Sequence, residues 1–148
     1  MPDISIFRSY SGFAKIAQLL SLTVAMAVFF SLHKIHYSEI DKTYYVTAIT
    51  VSAFLQTSFL LIVYVFGGIA IQKTLYEVIV NSFYSLALLV SAILLFTMAG
   101  RDDGSVASGI FNLFAMVAYG ADVYFALVNM GAFNIDLSNL PTSGANRV

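Results

Sequence analysis

The sequence contains no cysteine. Disulfides, thiol catalysis, cysteine-ligated metal and palmitoylation of a native thiol are therefore excluded together. Charge is almost as scarce: Asp, Glu, Lys and Arg make up 10% of 148 residues, where a soluble domain carries about a quarter. The net charge is −1 and no run of Lys or Arg occurs, so the footprint of a nucleic-acid-binding protein is missing. No Asn-x-Ser/Thr sequon exists, since Asn81, Asn112, Asn129, Asn134, Asn139 and Asn146 all fail at the third position. The first apolar run has no small-residue cleavage site and is expected to be a span rather than a removed signal. Pro2 after Met1 argues against myristoylation. No nucleophile–base pair, phosphate-binding glycine loop or metal-ligand cluster appears. The expectation is a non-enzyme with no cofactor, no metal, no nucleic-acid partner and no soluble small-molecule substrate.

What the chain does have is apolar residues, 59% of the total, and they are not scattered. A membrane-spanning helix needs about 20 mostly apolar residues, and charges divide the sequence into four such stretches. The first runs from Ile16 to Leu32 between Lys15 and His33-Lys34, borrowing Phe13 and Ala14. It is short, so Lys15 and Lys34 are expected to snorkel to the interfaces. The second is charge-free from Thr43 to Gln72 and is placed at Tyr45 to Phe66, with Gly67-Gly68 loosening its exit. The third runs from Val78 to Gly100, between Glu77 and Arg101. The fourth, Val106 to Gly131, contains one charged residue, Asp122.

Backbone polar groups inside hydrocarbon must bond within their own segment, so each stretch is a helix. The connections, His33 to Lys42, Gly67 to Glu77 and Arg101 to Ser105, are short. Short loops between long helices predict an all-α, up-down four-helix membrane bundle with both termini on one side. Spans at about 13–32, 45–66, 78–100 and 106–131 form one unit, residues 1–133, followed by a polar tail, 134–148. Arg8, Lys15, Lys73 and Arg147 on the terminal side face Lys34, Lys42 and Arg101 on the other. The positive-inside rule then leans towards cytoplasmic termini. Tyr44, Tyr45 and Tyr76 sit at span ends, where interfacial aromatic anchors belong.

Asp122 is the sharpest single feature. An aspartate at the middle of a span costs about 2.5–3.5 kcal/mol to insert, so it should face the protein interior. At 100° per residue, Ser108, Phe111, Ala115, Ala118, Asp122, Ala126 and Asn129 share one small, polar face suited to helix contact in lipid. As a functional group Asp122 could bind a proton or cation; as a structural one it is a buried carboxyl bonded to a neighbour, which is favoured because a transport path recruits several ionisable groups. Gln18, Gln56 and Asn81 are the candidate partners, with Gln56 preferred on depth. Gly109, Gly120 and Gly131 recur every eleven residues, three helical turns, and form a second face. It packs within the bundle or against another protomer.

Other patterns are weaker. His33, His36, Glu39 and Asp41 most simply form a solvated loop, as do Arg101, Asp102 and Asp103. Tyr10 to Phe13 and Tyr76 to Ile79 match a loose Tyr-x-x-apolar sorting pattern but abut the bilayer. The C-terminal Val148 fits a carboxylate-binding groove poorly, given Asn146.

Three stretches resemble the MARVEL domain, the four-helix module of myelin-and-lymphocyte, chemokine-like-factor, physin and occludin proteins. Ala14-Lys15-Ile16-Ala17-Gln18-Leu19-Leu20 is similar to that family's opening, in which a basic residue precedes a Leu- and Gln-containing helix. Glu77-Val78-Ile79-Val80-Asn81 resembles its acidic-apolar-apolar-x-Asn start of the third span. Gly109 to Leu113 followed by Tyr119-Gly120-Ala121-Asp122 is the nearest match in the fourth. The chain departs from physins in lacking lumenal disulfides and from occludins in its short loops, and claudins and tetraspanins fit worse. The resemblance implies a non-enzymatic organiser of membrane domains, vesicle traffic or cell junctions, acting by lateral contact with lipids, other membrane proteins or itself, in the plasma membrane or vesicles. A small oligomeric channel or ion-coupled carrier built on Asp122 is the alternative. An accessory subunit docking through the glycine face is a third reading.

Overall fold

The computed structural model describes residues 10–32, 39–66, 75–98 and 103–131. These residues form four helices: α1, Tyr10–Leu32; α2, Ile40–Val65; α3, Leu75–Met98; and α4, Asp103–Asn129. All are long and apolar enough to cross a membrane, and the protein is a multi-pass integral membrane protein built as a helical bundle. With 23 to 27 residues each, the helices extend roughly 35–40 Å at about 1.5 Å per residue, which exceeds the ~30 Å hydrocarbon core. Neighbours run antiparallel, so α1 begins and α4 ends at the same end of the bundle, called here the terminal end. Helix α4 packs most extensively, along both α1 and α3.

The helices start earlier than charge-delimited spans suggest. Helix α1 opens at Tyr10 and α2 at Ile40, taking in Lys15 and Asp41-Lys42. A charged residue ends an apolar run, but it does not end a helix whose backbone continues into the interface. Glu77 likewise falls inside α3 rather than before it. Helix α4 ends at Asn129, and just beyond it Gly131 has a φ of 72°, the left-handed conformation glycine adopts after a helix C-terminus. There the Gly131 amide donates to Val128 O and Met130 N to Ala126 O, each at 3.0 Å. The His33–His36 pair, Gly67-Gly68, Arg101-Asp102 and the tail with Val148 lie outside the described residues.

Each helix buries a stripe with alternating spacings of three and four. In α1 it is Ser11, Lys15, Gln18, Leu22, Ala25 and Phe29; in α2 it is Thr43, Val46, Thr50, Ala53, Thr57, Leu60 and Tyr64. This is the seam of helices packed knobs-into-holes. The α4 stripe is Ser108, Asn112, Ala115, Tyr119, Asp122 and Ala126. It is turned slightly from the expected face: Asn112 and Tyr119 are fully buried while Phe111 and Ala118 are half-buried.

The interior is layered. A polar layer at the terminal end gives way to an apolar cluster of Leu22, Ala53, Leu88 and Ala115 around the ring of Tyr119. Thr50 and Asn112 meet beyond it at 3.5 Å. The far end is closed by Phe29, Val46, Leu95 and Met98, all buried. Outside, the helices present Phe13, Leu20, Phe59, Phe83, Leu86 and Val117 to lipid. Hydroxyls facing outward are satisfied by their own helix, as when Thr23 Oγ1 donates to Leu19 O at 2.7 Å and Ser58 Oγ to Phe54 O at 2.8 Å.

Candidate functional site

Four helices contribute to one buried ionic cluster at the terminal end. Lys15 sits on the α1 stripe between Ser11 and Gln18, so the same periodicity that buries Leu22 carries its side chain inward. Its side chain is 0% exposed. The expectation that Lys15 snorkels to water is therefore corrected. Its ammonium pairs with Asp122 Oδ2, lies 3.3 Å from Glu77 Oε1 and donates to Asn81 Oδ1 at 3.2 Å.

Asp122 is surrounded by donors. Ser11 Oγ donates to Oδ1 at 2.9 Å, while Gln18 Nε2 and Asn81 Nδ2 donate to Oδ2 at 3.2 and 3.0 Å. Together with Lys15, all of these neighbours donate to the carboxyl. The residue belongs where its insertion cost can be recovered, against a counter-ion and out of lipid.

Glu77 enters from the first turn of α3. Tyr64 OH donates to its Oε1 at 2.5 Å, the oxygen that also faces Lys15. The other oxygen, Oε2, is buried and has no hydrogen-bond partner among the described residues. One turn deeper, Thr57 Oγ1 reaches Gln18 Oε1 at 3.2 Å and Tyr119 OH at 2.5 Å. The Tyr119 phenol also donates to Ala53 O at 2.9 Å. Hydrogen bonds thus run from α1 to α2, α3 and α4, and Tyr119 ties α4 to α2 across the bundle.

Of the residues singled out in the sequence, the structure unites Asp122, Gln18 and Asn81. Gln56 is not an Asp122 partner: it lies on the outer side of α2 and donates to the exposed Tyr76 OH at 3.1 Å. Depth suggested Gln56, but azimuth decides, and the inward position of that turn belongs to Thr57. The Asn129 side chain lies outside the described residues. Asp122 is also not alone as an ionisable group in the core, because Lys15 and Glu77 join it there.

The three glycines separate. Gly109 is buried against α3, where a Cβ would meet Phe96 Cε1 at 2.9 Å. Gly120 faces outward and borders a groove of about 290 Å³ with Ser82, Ser85, Leu86 and Val123. Gly131 closes α4. Periodicity detects their shared angle, not their different neighbours.

Lys15 and Glu77 went unrecognised as site residues because each was read as a span boundary. A signal was present: Lys15 and Gln18 lie three apart, as Ser11 and Lys15 lie four apart, on the stripe that continues through Leu22. The cluster has no nucleophile poised beside a base. Among the described residues no three His, Asp or Glu side chains converge as metal ligands. What it can do chemically is pair charge and hold protons.

The cluster's ionic residues are thus Lys15, Glu77 and Asp122, with Gln18 and Asn81 as their amide partners. No family model, curated protein or solved structure matches the chain.

Proposed function

We propose that this protein is a non-enzymatic membrane organiser, a scaffold or trafficking component that acts through lateral contacts of its lipid-facing helices. The observation that carries this reading is the closed interior. Its charges are bonded to one another, and the Phe29, Val46, Leu95 and Met98 layer seals the opposite half with apolar side chains. A nearby cavity of about 10 Å³ between α1 and α2, beside Thr50 and Ser108, offers room for about one water. What remains available to a partner is the outer surface, which is apolar and suited to lipid and to other membrane helices. The outward Gly120 groove would let a neighbouring helix approach closely.

A proton or cation carrier is the second reading, favoured by three ionisable side chains meeting in the core. Against it, conduction must cross the Leu22, Ala53, Leu88 and Ala115 cluster and then the Phe29, Val46, Leu95 and Met98 layer, neither of which contains a carboxyl, histidine or lysine. Reconstitution in liposomes distinguishes them. A scaffold gives no pH- or potential-driven flux above empty vesicles and forms lateral cross-links in native membranes. Flux that disappears in Asp122→Asn would overturn the scaffold reading in favour of the carrier.

A further inference from the structure

We infer that the cluster is a proton-binding site: the Glu77–Asp122 carboxyl pair shares one bound proton at neutral pH, and Glu77 carries it. The charge count comes first. Lys15 is the single cation among the buried residues of the described chain, while Glu77 and Asp122 are two carboxyls, all at most 1% exposed. With both carboxyls ionised the core would hold one uncompensated negative charge away from water. Two carboxylates sharing a site do not both ionise readily, and one keeps a proton.

Geometry assigns the proton. Asp122 pairs with Lys15 through Oδ2, which also accepts from Gln18 and Asn81, while Ser11 donates to Oδ1, so its charged form is the better compensated of the two. Glu77 receives its donors on Oε1 alone, from Tyr64 and Lys15. Its Oε2 is buried and unpartnered, so a proton there displaces nothing. The ionisable groups facing Glu77 are Lys15 from α1, Tyr64 from α2 and Asp122 from α4, with the Tyr119 phenol one turn deeper. Within α3 the nearest other one is the exposed Tyr76. Of these, only Lys15 supplies positive charge, and Asp122 already engages it.

The bound proton makes the packing of the α3 entry depend on pH. Only the folded protein holds it, so stability falls as pH rises above the unfolded glutamate value of about 4.3, until the proton leaves the native state. Over that window the folding constant drops tenfold per pH unit relative to a variant without the site. Glu77→Gln is that variant, because a neutral amide keeps the oxygen that Tyr64 and Lys15 use.

The test is infrared spectroscopy of the full chain in lipid, with pH-dependent unfolding of the same sample. At neutral pH the wild type should show the carbonyl stretch of a protonated carboxylic acid, shifted by deuterium oxide and unchanged between sodium and potassium buffers. That band should vanish in Glu77→Gln, and the variant's stability should lack the wild type's tenfold-per-unit decline. A wild type without the band overturns the inference even if the variant fails to fold. A band that survives in Glu77→Gln overturns the assignment to Glu77. Parallel pH profiles of stability do the same.

Discussion

Replacing Lys15 by Met keeps a long, flexible side chain on the α1 stripe and removes only the ammonium. Among the described residues no other buried cation can substitute: Lys15 is fully buried, and its partners Asp122, Glu77 and Asn81 are buried with it. Breaking a buried pair by deleting one partner costs about 3–5 kcal/mol, because the other charge is left uncompensated. Asp122 retains Ser11, Gln18 and Asn81 as donors, which places the expected loss near the lower end, about 3 kcal/mol, or roughly a hundredfold in the folding constant. Reversible unfolding by increasing detergent fraction in mixed micelles reads this directly. The double variant Lys15→Met/Asp122→Asn should recover most of the loss, since both charges of the pair are then gone. A Lys15→Met cost under about 1 kcal/mol, with no coupling to Asp122→Asn, would be the signature of a solvated surface pair. That result would refute the buried-cluster argument.

Three further substitutions test the packing. Gly109→Ala should cost about 1 kcal/mol in the same unfolding assay, at the low end for overpacking, because the Phe96 ring it meets is 38% exposed and can swing aside. A cost above about 3 kcal/mol would mean that backbone, not a ring edge, limits the α3–α4 approach. Gln56→Leu should leave stability within about 0.5 kcal/mol, since its partner Tyr76 faces outward. Gln18→Leu, which removes bonds to Asp122 and Thr57, should lose about 1–2 kcal/mol; equal effects at the two glutamines would contradict the assignment of Gln18 to the interior and Gln56 to the outer side of α2.

The layout of four helices was legible because hydropathy is a property of each stretch alone, and bilayer thickness converts it into length. The inward direction of Asp122 was legible too, since a carboxylate in hydrocarbon has one affordable direction. The cluster was not, for a reason built into span-finding. Using charges to mark the ends of apolar runs assigns every flanking charge to water before its angular position is considered. Lys15 and Glu77 were both placed outside by that step, which also left the first span short, from Ile16 to Leu32. Shortness was itself the clue, because a helix of about 17 residues barely crosses ~30 Å, and lengthening it towards Tyr10 draws Lys15 into the core stripe with Ser11 and Gln18. Choosing among polar partners fails in the same way when depth is used without azimuth, as Gln56 and Thr57 show. Both errors disappear when the three-four seam is traced through the polar positions as well as the apolar ones. A lysine, a glutamate and an aspartate that fall on the seams of three helices at one end of an antiparallel bundle must then meet. The lipid around them leaves no other place for groups so polar.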